Sequence, residues 1–193
     1  PLGLSFITVQ MISYLVDVHN RRMQVERDFL KFALYVLYFP KILAGPIERA
    51  KPFLARLDSP ARWSGEAFQR NVALVFVGLI RKIAFADTLT AMIPADAFQK
   101  PSQYPAPHLA IWLIAYAFAI YNDFAGYSSM VRGVSGFFGI ELTSNFNVPY
   151  FSRSFSEFWN RWHISLSSWL RDYIFFPLSR SLLNKLPDPH PAI

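Results

Sequence analysis

The sequence predicts an all-α integral membrane protein, a polytopic helix bundle with re-entrant and interfacial helices, and three observations lead there. Its composition is oily and aromatic, with 53% hydrophobic, 17% aromatic and only 17% charged residues, whereas charged residues make up roughly a quarter of an ordinary soluble domain. Its apolar residues collect in four segments, the first of them about as long as the roughly 17–25 residues of a spanning helix. No strand-type alternation, heptad or internal repeat interrupts them. The mean hydropathy of +0.23 is modest because long polar connections dilute these segments.

The first segment, PLGLSFITVQMISYLVDV (residues 1–18), is about long enough to be the visible part of a spanning helix. The charged connector HNRRMQVERD follows. The second, FLKFALYVLYFPKILAGP (residues 29–46), is broken by Pro40 and ends in Gly45-Pro46, a pair suited to a turn. The loop beyond it carries Glu48, Arg49, Lys51, Arg56, Arg62 and Arg70. Basic flanks mark the cytoplasmic face. Their presence at both ends predicts a re-entrant hairpin, whose broken backbone needs cover from protein or water.

The third segment, NVALVFVGLIRKIAFADTLTAMI (residues 71–93), contains Arg81, Lys82 and Asp87. The Pro-rich, weakly charged PADAFQKPSQYPAPH then reads as an outside loop. In the fourth, LAIWLIAYAFAIYNDFAGYSSMVRGVSGFFGI, the apolar run reaches Asn122-Asp123. From Leu109, Asp123 would lie roughly 20 Å along a helix, most of the way across a ~30 Å hydrocarbon core. An acid at that depth costs roughly 2.5–3.5 kcal/mol on insertion scales and faces a partner or a wet cavity. The alternatives are an ion pair with Arg132 or Arg171, or a place in the wall of a binding site. Arg81 and Lys82 are expected to snorkel to the cytoplasmic interface.

The stretch FWNRWHISLSSWLRDY holds three tryptophans, one histidine and two arginines. Ser154 followed three residues later by Glu157 predicts a helix start at Phe155, and Asp172-Tyr173 with Pro177 predicts its end or turn. On a helical projection Phe155, Phe158, Trp159, Trp162, Leu166, Trp169 and Leu170 fall in one arc of about 120°. Asn160, His163, Ser167 and Arg171 form a polar stripe about 80° wide on the other side, with His163 at its border. Two readings are open. The stripe could belong to an interfacial helix whose aromatics sit at headgroup level and whose arginines meet phosphates. Alternatively it walls a reaction chamber, where His163 takes a proton from a hydroxyl and Asn160 or Ser167 fixes its tautomer.

Several chemistries are excluded or unsupported. The absence of Cys rules out disulfides, thiolate metal sites and a Cys nucleophile. No histidines or carboxylates share metal-ligand spacing on one helix face, so no metal is expected. There is no Gly-rich phosphate loop and no Gly-x-Ser-x-Gly elbow. The net charge of +6 lies between apolar runs, which points to the lipid bilayer rather than nucleic acid as a partner. The apolar start lacks a basic n-region and cleavage site, and the chain stops in the polar Pro-rich LPDPHPAI. Residues 1–193 are therefore expected to be a single partial domain of a longer polypeptide, with 178–193 a polar loop.

Five blocks, PLGLSFITVQMISYLVDV, FPKILAGPI, GLIRKIAFAD, YNDFAGYSSM and NFNVPYFSRSFSEFWNRWHISLSSWLRDYIFFPL, resemble the membrane-bound O-acyltransferases. The bacterial branch acting on alginate and teichoic acids is the nearest. The last block is the most specific, through Trp-His-x-Ser followed by Trp-Leu-Arg-Asp-Tyr. The chain departs from the family pattern at Ser129, where a second acid is common, and at Ser179-Arg180, where a glycine pair is common. The resemblance implies a multi-pass enzyme of the bacterial cytoplasmic (inner) membrane with a central tunnel. It also implies acetyl transfer from a cytoplasmic thioester, acetyl-CoA or an acyl carrier protein, to hydroxyls of an outside polysaccharide such as alginate. No bound cofactor is implied.

The family's Trp-His-x-Ser histidine maps onto His163, with Asn160, Ser167, Arg171 and Asp123 as expected substrate-binding residues. A second histidine, in a Leu-Trp-His-Gly type motif, is commonly given the base role in this branch. Neither His108 nor His190 matches that motif. His163 is thus either the base or a residue that positions substrate beside it, and the fragment alone is expected to be inactive. Arg81 and Lys82 could then attract an acidic acyl carrier protein or a coenzyme phosphate, and export-complex partners are expected. The rival class is a transporter or polysaccharide-export subunit, with Asp123 and Arg81 lining a solute path.

Overall fold

The computed structural model describes residues 3–183, and its regular elements are all helical, with no strand among the described residues. In chain order they are α1 (Leu4–His19), α2 (Phe29–Leu37), α3 (Ala50–Asp58) and α4 (Gly65–Ile80). A π-helical segment (Arg81–Asp87) leads into α5 (Thr88–Ala91), and a 3-10 turn (Pro101–Gln103) precedes α6 (Ala106–Phe137). A second 3-10 turn (Pro149–Phe151) precedes α7 (Phe155–Arg161) and α8 (Ile164–Leu170). A second π segment (Arg171–Phe175) joins α8 to α9 (Phe176–Leu183). The chain divides into two compact units, one from the described parts of Pro1–Tyr38, Pro46–Ala55 and Thr143–Ile193, the other from Phe39–Gly45 and Arg56–Leu142.

In the first unit, α1 is 16 residues long, about 24 Å at 1.5 Å per residue, a length that fits the visible part of a spanning helix expected there. Its buried residues are Gln10, Ser13, Tyr14 and Asp17, spaced by three and four so that they share one face. A polar stripe therefore points into the core, while Leu4, Ile12 and Leu15 stay exposed. Asp28 caps α2 by accepting from the backbone N–H groups of Leu30 at 2.9 Å and Lys31 at 3.2 Å. The helix stops at Leu37, ahead of Pro40, whose ring restricts the preceding residue and which has no N–H to donate. The break predicted in this segment is present.

The core of this unit is aromatic. Tyr35 and Phe53 are fully buried, with ring centroids 5.6 Å apart, and Tyr14 and Tyr38 flank them. The connector after Pro46, expected to be a loop, instead forms α3, which buries Ala50, Phe53 and Leu54. At the other end, Pro177 does not stop the chain. The helix runs on through α9, so Leu178–Leu183 are helical, where a polar loop was expected. The π segment just before Pro177 shifts the hydrogen-bond register where the proline cannot donate. Residues 184–193, including His190, lie outside the described residues.

In the second unit, α4, the π segment and α5 form one unbroken helical run from 65 to 91 against α6. Ser64 caps it by accepting from the Ala67 N–H at 3.1 Å. With 32 residues, α6 is long and apolar enough to cross a membrane. Glycines let the helices close up: a Cβ on Gly78 would lie 2.6 Å from the Gly126 carbonyl oxygen, and one on Gly126 would lie 2.8 Å from that of Gly78. Gly136 leaves room for the buried side chain of Asn71. Small residues at such crossings are how helices associate in lipid, where burying apolar surface gives no driving force. Gly126→Ala is expected to destabilise the protein by about 1–3 kcal/mol through overpacking, read as a lower thermal midpoint in detergent. Gly65→Ala, where a Cβ meets nothing within 4 Å, should show no loss.

Candidate active site

The predicted start of the tryptophan-rich helix is borne out. Ser154 Oγ accepts from the Glu157 N–H at 3.1 Å, and Glu157 reaches back to the Arg153 N–H at 2.7 Å. Glu157 also pairs with Arg161 at 2.6 Å. The single continuous helix is a correction. Trp162 is extended (φ −105°, ψ 127°) and His163 is left-handed (φ 43°, ψ 53°), so α7 ends and α8 begins anew around the histidine. The stripe of Asn160, His163, Ser167 and Arg171 is therefore not one face of one helix.

The cause lies twenty residues upstream. Asn145 takes the Ile164 N–H on its backbone oxygen at 2.9 Å and the Ser165 N–H on Oδ1 at 3.2 Å. Asn147 donates its N–H to the last α7 carbonyl, that of Arg161, at 2.9 Å. These bonds satisfy helix-end groups that an interrupted helix would otherwise leave bare. Ser165, itself buried, accepts the Ile47 N–H on Oγ at 3.0 Å. Next to Ile47, the buried Glu48 accepts the Thr143 N–H on Oε1 at 2.5 Å.

A second polar cluster lies further along the same helix. Tyr173 donates to Asp17 at 2.6 Å, and Arg49 bonds Asp172 at 3.1 Å with its guanidinium 4.5 Å from the Tyr173 ring centroid. Trp169 donates its indole N–H to the Val9 carbonyl at 3.1 Å. Tyr35 bonds the backbone oxygens of Gln10 and Glu48 at 3.3 and 3.1 Å. Its own burial raises the Tyr173 phenol above the usual range, with Asp17 adding to the shift, so it stays a donor.

His163 is half-buried, and its Nε2 is shielded from solvent. Burial pushes the imidazole down to about 4, so the ring is neutral at physiological pH. Ser167, expected to fix the tautomer, instead donates its hydroxyl to the Trp162 carbonyl at 3.0 Å and bonds the His163 carbonyl through its N–H at 2.9 Å. It stabilises the turn rather than the ring. Asn160 is exposed, and the exposed Arg171 bonds its neighbour Asp172 at 3.2 Å.

Asp123 belongs to the second unit and pairs with neither Arg132 nor Arg171. Lys82 Nζ lies 2.8 Å from Asp123 and 2.8 Å from Asp87. Lys82 and Asp87 are five residues apart, a spacing that the i→i+5 register of a π turn brings together. Arg132 donates to the Leu142 carbonyl at 3.1 Å, and the Arg81 guanidinium lies 5.7 Å from the Tyr121 ring centroid. Sequence reasoning missed Glu48 and Asn145, which lie in irregular stretches without periodicity. It also missed Gln10, Ser13 and Asp17, although polar residues spaced by three and four in an apolar segment were the available signal.

A model of the membrane-bound O-acyltransferase family matches residues 4–187. The chain belongs to this family. Among curated proteins, this chain is 38% identical to the "Probable alginate O-acetylase AlgI" of Pseudomonas aeruginosa, over 92% of the chain and 34% of the relative. It is 33% identical to the peptidoglycan O-acetyltransferase of Helicobacter pylori, over 96% of the chain and 40% of the relative. To the teichoic acid D-alanyltransferase of Bacillus subtilis it is 29% identical, over 90% of the chain and 44% of the relative. The chain thus spans about a third of the length of the alginate relatives. The match includes the turn at His163 and the segments that clamp it.

Two outcomes follow for the turn at His163. A left-handed non-glycine residue costs roughly 1–2 kcal/mol, so His163→Gly should be more stable than His163→Ala by about that amount, measured by denaturation in detergent. A histidine whose folded pKa lies below its unfolded value of about 6.5 binds protons more readily when unfolded. Its contribution to stability is therefore complete above pH 6.5 and lost as the pH falls toward 4. Thermal midpoints should drop across that window in the wild type, and this component should vanish in His163→Gln.

Proposed function

We propose that this chain is part of a multi-pass enzyme of the bacterial cytoplasmic membrane. The enzyme transfers an acetyl group from a cytoplasmic thioester to hydroxyls of an extracytoplasmic polysaccharide such as alginate. Residues 1–193 are one part of its larger acyltransferase domain. The donor is acetyl-CoA or an acyl carrier protein, and an acyl-donor protein or export-complex subunits are the partners. The family membership and the names of the relatives support the reaction class. The observation that carries the site is His163: a neutral, desolvated imidazole held in a left-handed turn by bonds to distant segments. Backbone strain retained at a polar turn is typical of functional positions.

In this reading His163 accepts a hydrogen bond from the acceptor hydroxyl and holds its oxygen for attack on the thioester carbonyl. The new C–O bond forms as the hydroxyl proton passes to a histidine base, and the C–S bond breaks as the thiol departs with that proton. Its depressed pKa makes His163 a weak base, which favours the positioning role. The proton then goes to the second histidine implied by the family resemblance. Asn160 and Arg171 are exposed side chains available to a polymer, Ser167 holds the turn, and Asp123 is a structural ion-pair partner of Lys82.

In the full-length protein, His163→Ala should lower polysaccharide acetylation by at least a hundredfold at unchanged protein level, measured as released acetate. His163→Gln, which still accepts a hydrogen bond, should retain at least tenfold more activity than Ala. Equal loss in the two would assign His163 as the base instead. Unchanged acetyl content in His163→Ala would remove it from the site.

A further inference from the structure

The turn that carries His163 is held by an amide, although its visible bonds require only acceptors. Asn145 is 1% exposed, and both of its oxygens are occupied, by the Ile164 and Ser165 N–H groups. The Ser165 bond also fixes which way the amide faces, because the flipped rotamer would set one N–H against another. Its Nδ2 is thereby directed elsewhere, and it is buried with no acceptor among the described residues. A buried donor left unsatisfied costs roughly 1–3 kcal/mol, and such groups call for a functional or structural reason. A carboxylate would accept the Ser165 N–H at least as well, and the Ile164 N–H is held by the backbone oxygen whatever the side chain. What asparagine adds is the N–H donor.

We propose that Asn145 is a catalytic hydrogen-bond donor, its Nδ2–H stabilising the thioester carbonyl oxygen as negative charge develops on it beside His163. This rests on the acyl-transfer reading of the site. As the hydroxyl oxygen bonds to the carbonyl carbon, the carbonyl electron pair moves onto oxygen, where the Asn145 amide donates to it. When that pair returns, the C–S bond breaks and the thiol leaves with the proton taken from the hydroxyl. A donor fixed in advance and shielded from water is worth most here, because it need not reorganise as charge appears. Two bonds to neighbouring backbone groups supply that fixity.

The test uses full-length protein in membranes, with labelled acetyl-CoA as donor probe and alginate oligosaccharide as acceptor probe. Asn145→Asp keeps the acceptor for Ser165 and removes the donor. It is expected to lower kcat by about 10²–10³, the range for loss of one such donor, with KM within about threefold, in protein whose thermal midpoint falls because a carboxylate is buried there without a partner for its second oxygen. Wild-type kcat in stable Asn145→Asp protein overturns the proposal and leaves Asn145 as a helix cap. A lowered thermal midpoint with kcat retained overturns it too.

If Asn145→Asp fails to accumulate, Asn145→Ser decides, since its hydroxyl ends one bond short of the Nδ2 position. A comparable kcat loss in stable protein supports the proposal, and near-wild-type kcat overturns it. His163→Ala is measured in parallel. Unchanged transfer in that variant, or none in the wild type, sinks the acyl-transfer reading itself. Full loss in His163→Ala with full activity in Asn145→Asp sinks only the role given to Asn145.

Discussion

A single residue, Asn145, receives two consecutive backbone N–H groups from a helix twenty positions later in the chain. The rest of the candidate site depends on that clamp. The sequence from Ser154 to Leu170 has the pattern of an uninterrupted amphipathic helix, and a left-handed histidine costs roughly 1–2 kcal/mol. Each helix-end hydrogen bond returns a comparable amount. The clamp thus offsets the strain and fixes the break at Trp162–His163. Without it, the imidazole would be carried around the side of a regular helix.

The clamp in turn rests on a core whose connections are mainly polar. The Ile47–Ser165, Arg49–Asp172, Tyr173–Asp17 and Trp169–Val9 bonds join residues 118, 123, 156 and 160 positions apart. Van der Waals packing of the oily side chains could hold these segments together but would fix their register weakly. Directional bonds in a low-dielectric interior are stronger and angle-dependent, so a satisfied network specifies one arrangement. Many of the large apolar side chains, among them Phe155, Phe151 and Leu15, are left exposed. That inversion of the soluble pattern agrees with membership in a membrane-bound family.

The second unit solves a different problem. There, α6 must approach the helical run of α4 and the π segment closely, and glycines at 78, 126, 133 and 136 allow it. In the π segment Lys82 is shared by two carboxylates, Asp87 and Asp123. An apolar helix can carry such groups when they neutralise one another, since an isolated charge in lipid is costly. The ion pair predicted for Asp123 exists, but its partner is set by a helical register that a uniform 100° projection does not contain.

Local properties of the sequence were enough for the helical class, the Ser154 cap, the break near Pro40 and the long helix containing Asp123. Each follows from residues within a turn or two of one another: apolar periodicity, a hydroxyl before an N–H, a proline without one. The five motif blocks were also sufficient for the family. Only the tertiary structure decided that the tryptophan helix is broken, that Ser167 serves the turn and that Lys82 partners Asp123. It likewise decided that Gln10, Ser13, Asp17, Glu48 and Asn145 face inward. Those facts depend on bonds between residues far apart in the chain, and a local pattern cannot record which distant group will take a given N–H.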